Sequence, residues 1–423
     1  MRRLIFLAPL AATLSVAPAL AAEVDGPIIV TGQPLGETAA ALAACLARAC
    51  PPDQDVAATL THAENQFLAG RYKDARSTLL KSIDRNKAQA RAFPVPVSDL
   101  YRANGRVAEH VGEARSFQSS VLAMRDTLRE GLDRDDPRIL GAQIEVGDSR
   151  AKLGFPDEAA RIYADVEAQA LGRGLNRIAI YARLRQAVLA QVAAEDSNLS
   201  ADRKRARAML GDIIADPLPG TDDLRLVAQV SLARMDRKAG RSDSTSALLR
   251  QFAAEGGAAR PILIAASPIK PPGIDTMRNP ATQSMADSVT SAGFLSIAAG
   301  DTSRRLVALN SIGKWADIGF WVTPSGKVSD IEVLRSSGGT QWLAPVVTHL
   351  EGRVYAPLKP GSDGVNPGFY MVERYSLTAR WTDDATGTNM RRREFTPRIE
   401  RLDITPEDYA RQPPEGPGTP KGA

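Results

Sequence analysis

The residues of this 423-residue chain that could do chemistry are few: three histidines, two cysteines, some serines beside glycine and several grouped aspartates. His62, His110 and His349 show no His-x-x-x-His or Cys/His spacing of the kind that holds a metal, and each falls in a stretch of helical periodicity, where a packed or solvated imidazole is expected. Ser325 and Ser336 lie in or beside Gly-containing turns, but neither forms the Gly-x-Ser-x-Gly of a nucleophile elbow. Gly338-Gly339 is not followed by the Lys-Ser/Thr of a phosphate loop. Asp53, Asp55, Asp133, Asp135 and Asp136 lack the Gly and terminal Glu of a calcium loop, so helix capping and solvation are expected of them. Cys45 and Cys50 admit two readings. They could form a disulfide if a helix ends before Cys50, as Pro51-Pro52 suggests, or be two small core residues. The expectation is a protein that is not an enzyme, with no metal, cofactor or small-molecule substrate.

The elements that position these residues begin with a leader. Arg2 and Arg3 precede an apolar run from Leu4 to Leu20, and Ala19-Leu20-Ala21 has the small-x-small form of a signal-peptidase site. Residues 1–22 therefore read as a cleaved secretory signal; the alternative is a retained anchor, although Pro9 and Pro18 interrupt a run already short for a span of about 20 residues. The formal charge of +4 includes Arg2 and Arg3, so the mature chain sits near +2. That is too small an excess to indicate nucleic-acid binding. With 43% apolar residues, the chain can build two or three cores.

After a short flexible leader (23–36), residues 37–256 are rich in Ala, Leu, Arg, Glu and Gln at helical spacing. Gly70-Arg71-Tyr72-Lys73-Asp74-Ala75 and Gly154-Phe155-Pro156-Asp157-Glu158-Ala159 share a Gly five residues before an Ala, with an aromatic between. Gly112 lies midway at 42 residues from each, and Gly240 falls about two periods further on. Gly112 and Gly240 are followed at that offset by Phe117 and Thr245 rather than Ala, and the repeat between Gly154 and Gly240 is unmarked. These words resemble tetratricopeptide repeats, where Gly makes the tight turn between paired helices and Ala lets them pack closely. The resemblance implies four or five hairpins stacked as a solenoid with helices longer than usual.

Residues 257–303, with Pro261, Pro268, Pro271, Pro272 and Gly273, read as a semi-extended linker. Ala281–Ala299 can hold a short helix, and Arg304–Leu309 a strand or a lead-in to the terminal domain. The chemistry-free remainder carries the clearest pattern. Ile318, Phe320 and Val322 alternate, Pro324-Ser325-Gly326 signals a hairpin, and Ile331 and Val333 alternate in turn. Trp342, Leu343, Val346, Val347, Leu350 and Val354 then follow helical spacing, with Pro345 tolerable only in the first turn and Pro357 ending it. Phe369, Met371, Tyr375, Leu377, Ala379 and Trp381 alternate against Tyr370, Arg374, Ser376, Thr378 and Arg380, with Val372 and Glu373 as exceptions. The fold expected is multidomain: an all-α solenoid, then a small α+β domain (304–382) of β-β-α-β order with an antiparallel sheet and one helix, then a charged, Pro/Gly-rich tail (383–423), disordered at its end.

The stretch Gly319-Phe320-Trp321-Val322-Thr323-Pro324-Ser325-Gly326-Lys327-Val328, continued by Ile331 to Gly338 and by Arg353-Val354-Tyr355-Ala356-Pro357, resembles the C-terminal domain of the TonB family. That resemblance implies a binding module whose last strand is an open edge for a peptide of an outer-membrane receptor. Carried onto this chain, Tyr370, Arg374, Ser376, Thr378 and Arg380 would contact the partner. Energy-transducing members carry a histidine-bearing membrane anchor and a long Pro/Lys-rich spacer, and this sequence has neither. The function expected is thus a periplasmic scaffold or adaptor that binds proteins or peptides, the solenoid taking one and the sheet edge another. The alternative is a TonB-type energy transducer for receptor-dependent import with a retained anchor in the inner membrane.

Overall fold

The computed structural model describes residues 34–216, 218–269, 313–360, 368–383, 391–393 and 398–406. The expected signal and most of the leader, the possible helix and lead-in of the linker, and the end of the tail lie outside the described residues.

Eleven helices come first: α1 (Leu35–Ala47), α2 (Pro52–Leu68), α3 (Tyr72–Asn86), α4 (Pro94–His110), α5 (Ala114–Gly131), α6 (Pro137–Lys152), α7 (Pro156–Gly172), α8 (Asn176–Ser197), α9 (Ser200–Ala215), α10 (Asp222–Lys238) and α11 (Asp243–Ala254). Four of them open on proline at the first position, where the missing N–H costs nothing. From α2 onward they pair as five hairpins. At each hairpin turn one residue adopts positive φ: Gly70, Gly112, Gly154, Asn198 and Gly240. Asn198 fills the unmarked repeat, Asn being among the few side chains that tolerate that region. Around Gly70, Arg71 N–H bonds to Gln66 O and Gly70 N–H to Phe67 O, each at 2.8 Å, a Schellman closure repeated at Gly112, Gly154 and Gly240.

The cores of this array are strictly local. Val56, Leu79 and Leu100 join α2, α3 and α4; Met124 and Val146 join α5 to α6; Tyr163 and Ala182 join α7 to α8; Leu210 and Leu224 join α9 to α10. Each hairpin hides its apolar stripe only against its neighbours, which makes the array a tetratricopeptide-like solenoid. Ala75 and Ala159 are fully buried, and Phe117 and Thr245 are buried at the equivalent places. At the last repeat the neighbour is not a helix. Val230 and Leu248 pack on Ile264 and Ala356, which belong to the following domain.

That domain contains β1 (Leu263–Ala265), β2 (Lys314–Val322), β3 (Val328–Ser337), α12 (Ala344–Glu351), β4 (Val354–Tyr355), β5 (Phe369–Thr378), β6 (Trp381–Asp383), β7 (Arg391–Arg393) and β8 (Arg398–Asp403). The main sheet is antiparallel in the order β3-β2-β5-β8, with small two-stranded pairs β1-β4 and β6-β7. The hairpin turn forms where expected, with Gly326 at positive φ. Ile318, Phe320 and Val322 pack with Val346 and Leu350 of α12 in the domain core.

Three expectations are corrected here. The helix ends at Glu351 rather than near Val354, because Val354 is drawn into pairing with β1. The linker's first residues, 258–265, are part of the fold, since Ala258 bridges Leu358 and β1 pairs with β4. The tail supplies β8, which pairs with β5 from Glu373↔Asp403 to Thr378↔Arg398.

Val372 and Glu373 do not interrupt the alternation of β5. Val372 keeps to its own face beside Trp321 and Leu334. Glu373 points into the core with Arg353, whose side chain is fully buried. Arg353 donates to Glu373 Oε1 at 3.0 Å and Oε2 at 2.9 Å, to the hydroxyls of Tyr355 and Tyr375 at 2.9 Å, and to His349 Nε2 at 3.1 Å. Those five bonds use all five guanidinium N–H groups, the condition under which such a buried ion is tolerated. Although burial opposes its charge, Glu373 above all holds the Arg353 pKa above its ordinary value.

Removing Glu373 would leave Arg353 buried without a carboxylate, and removing Arg353 would leave Glu373 with only Arg401, at 3.2 Å, and the Tyr375 hydroxyl. Arg353→Met is expected to cost about 3 kcal/mol, and Arg353→Met/Glu373→Met to recover most of it; urea denaturation of the single and double variants measures the coupling.

Candidate functional site

The face of β5 opposite the domain core does not look into solvent. It lies on the row of turns at the ends of α2, α4 and α6. Arg374, fully buried, donates through Nε to Asp317 Oδ1 at 2.7 Å and through Nη2 to Oδ2 at 2.9 Å. The same guanidinium donates to Phe67 O at 2.8 Å and Leu68 O at 2.6 Å, the last carbonyls of α2. Arg335 also binds Asp317, at 2.7 Å. Two cations thus share one carboxylate, and the excess positive charge faces the negative end of a helix dipole. Trp315 roofs the cluster, its ring 4.2 Å from the Arg374 guanidinium carbon.

The pattern continues along the solenoid. Arg398 donates to Glu109 O of α4 at 2.9 Å, and Arg380 to Lys152 O of α6 at 2.6 Å. Three successive hairpins therefore have helix-end carbonyls, which no intrahelical N–H can satisfy, taken up by arginines of the sheet domain. The periods match. Six residues separate Arg374 from Arg380, about 20 Å of extended chain, and two steps between packed helices span about the same distance.

Close contact accompanies the capping. A Cβ on Gly70 would overlap Trp315, and one on Gly112 would overlap the backbone at Ala379 and Arg380, whereas Gly154 and Gly240 have open space there. The repeat glycines thus divide by role: all turn the chain, but only two also admit the sheet.

The expected open edge is corrected by this arrangement. β5 is an interior strand, with β2 on one side and β8 on the other. Tyr370, Arg374, Ser376 and Thr378 are all buried. Tyr370 donates to Glu332 at 2.7 Å, and Ser376 lies 3.5 Å from the Tyr72 hydroxyl. The five residues assigned to partner contact are brought together, but Arg374, Ser376 and Arg380 face the chain's own solenoid. Period-2 spacing could not show this, since a face that meets a helix end reads as polar in the same way as one that meets water.

Cys45 and Cys50 are bridged, with Cα atoms 5.3 Å apart, across a turn in which Ala49 takes positive φ. His62 has both ring nitrogens hydrogen-bonded, to Thr38 and Gln66 at 3.0 Å. His349 accepts from Arg353 at Nε2, which fixes the proton on Nδ1, hydrogen-bonded to Ser267 O. Asp136 caps α6 through Arg138 N–H at 2.9 Å, as expected. Asp55 is not solvated: burial opposes its charge, but Arg85, Asn86 and Thr59 bind it and hold its pKa below the usual value.

Two open grooves flank the docked sheet. One, of about 910 Å³, runs between α3 and the ends of β2 and β5. The other, of about 660 Å³, lies between α2, α4 and β8. His110 borders both and packs against Phe67 and Tyr72 with ring centroids 4.9 and 4.8 Å away. Its Nε2 is enclosed without a hydrogen-bond partner among the described residues. Burial, followed by the charges of Arg374 and Arg398, pushes its pKa down to about 4.

In Gly70→Ala and Gly112→Ala, overlap with the sheet adds to the strain of positive φ, about 1–2 kcal/mol. Both are expected to lower Tm and expose the sheet domain to protease more than Gly154→Ala or Gly240→Ala, as limited proteolysis would show. His110 titrates from the unfolded side first. The folded state keeps it neutral, so stability falls as pH drops from about 6.5 toward 4, by up to about 3 kcal/mol. In His110→Phe this portion of the pH dependence is lost, as urea midpoints at neutral and acid pH measure.

No family model matches the chain. Over 140 residues it is 30% identical to the E3 ubiquitin-protein ligase BRE1 of Eremothecium gossypii, a match covering 33% of this chain and 20% of that relative's length. Among solved structures, a kinesin light chain of Podosopora anserina with nearly identical TPR-like repeats aligns over 48% of this chain and 95% of its own, at 17% identity and a TM-score of 0.37. BtubC from P. vanneervenii aligns over 56% and 97%, at 15% identity and a TM-score of 0.40. The Rap conjugation gene regulator of plasmid pLS20, solved with the Phr* peptide, aligns over 48% and 55%, at 12% identity and a TM-score of 0.35.

Proposed function

We propose that the chain is a non-catalytic, exported interaction scaffold that binds protein or peptide partners in the grooves between its solenoid and its sheet domain. The observation that carries this reading is the sheet's attachment. Three arginines and two close glycine contacts fix it to the solenoid, and the composite surface leaves concave channels of a size suited to binding. The sheet thus serves as a wall of the binding surface rather than as a free edge. The strand, strand, helix, strand order supports a TonB-like origin for it. Export is supported by the signal-like leader and by the Cys45–Cys50 bridge, a bond that persists in oxidising compartments.

Fractionation of a Gram-negative host producing the chain with its own N-terminus tests this. The expected product is periplasmic, begins close to Glu23, and yields a discrete protein partner on crosslinking. A product retaining Met1 in the inner membrane would instead favour the TonB-type transducer with a retained anchor. A periplasmic product that crosslinks to no protein would overturn the scaffold reading.

A further inference from the structure

The larger groove has a charge pattern that the fold does not use. Its floor is apolar, formed by Tyr72, Val111 and the exposed side chain of Leu80. Along its rim stand Lys73, Arg76, Lys81 and Lys314. None of the four has an ion-pair partner among the described residues, although Arg76 donates to Ser116 at 2.6 Å. Three acids line the same groove, Asp74, Asp84 and Glu113, fewer than its cations; Asp74 is matched by Arg71 at 2.7 Å and Asp84 by Lys87 at 2.8 Å. Other solenoid cations are paired across hairpins, as Arg102 is with Glu145 and Arg183 with Glu167. Four cations without an ion pair among the described residues therefore stand beside an apolar floor.

We infer that this groove binds an acidic peptide segment of another protein, laid along α3 in extended form with apolar side chains on Leu80 and Tyr72 and carboxylates against the four cations. The inference rests on the scaffold reading and names its partner chemistry. Charge complementarity selects the occupant. Lys73, Arg76 or Ser77, Leu80 or Lys81, and Asp84 recur at helical spacing on one face of α3, so the cations form a line that an extended chain can follow. The supporting wall comes from the sheet, whose Lys314 and Leu377 pair in register at the ends of β2 and β5.

The test uses the full chain and two fluorescein-labelled decapeptides, one alternating Glu with Leu and the other Gln with Leu, read by fluorescence anisotropy. The Glu peptide is expected to bind at least about tenfold more tightly than the Gln peptide and to weaken as salt rises. Lys73→Glu/Lys81→Glu, both exposed positions, should reduce that binding at least about tenfold, while Arg106→Glu in the other groove leaves it unchanged. Circular dichroism checks that the variants are folded. Equal affinity for the two peptides, or binding that survives Lys73→Glu/Lys81→Glu, overturns the inference. Loss through Arg106→Glu alone also overturns it, yet leaves the scaffold reading standing, which fails only if no protein partner is captured in the periplasm.

Discussion

Asp317, Arg374 and the carbonyl end of α2 form a buried junction in which each part meets bonding groups of the others. A carboxylate and a guanidinium removed from water lose several kcal/mol of hydration each, which their attraction offsets only when the remaining donors and acceptors are met. Here the donors left over are met by the Phe67 and Leu68 carbonyls at the end of α2. Seating the sheet domain thus buries the pair and supplies Leu68 O with its donors, so the ion pair and the helix end are satisfied together. Trp315 above Gly70 excludes water from the same spot.

The other contacts of the sheet domain follow from that seating. Once Arg374 is on α2, the rise of β5 carries Arg380 to α6, and β8 places Arg398 on α4. At the opposite end Ile264 and Ala356 complete the core of the last hairpin, where Arg234 of α10 binds the β1 carbonyls of Leu263 and Ile264. The domain thus touches the first three hairpins and the last one, while its own core, built around Arg353 and Glu373, stays separate.

Much of the architecture was legible in the residues, because turns and strand faces are set by local chemistry. Gly70, Gly112, Gly154 and Gly240 marked hairpin turns correctly, and Ile318, Phe320 and Val322 marked a buried face. Asn198 went unread since it substitutes for glycine by a side-chain tolerance that the repeat word does not include. β8 went unread because Arg398 to Asp403 is a charged strand with little alternation, stabilised by pairing with β5 rather than by its own pattern. The functional assignment of Arg374 failed for a different reason: spacing places a side chain on a face but says nothing of what covers the face. Glu373 looked like an error in the pattern because its partner, Arg353, lies on a helix end 20 residues away.

The bridging position of the sheet domain bears on how the molecule comes apart. A linear array of hairpins, each held only by its neighbours, can fray from either terminus and populate partly melted forms. Here the final hairpin leans on a domain that is itself anchored to the first three, so neither end of the row of five hairpins is free. Local loosening at α10 or at α2 must disturb the same sheet, which converts a one-dimensional stack into a closed circuit. Such a circuit opens as a unit, keeping its curvature, and with it the width of the grooves, constant until the whole is lost.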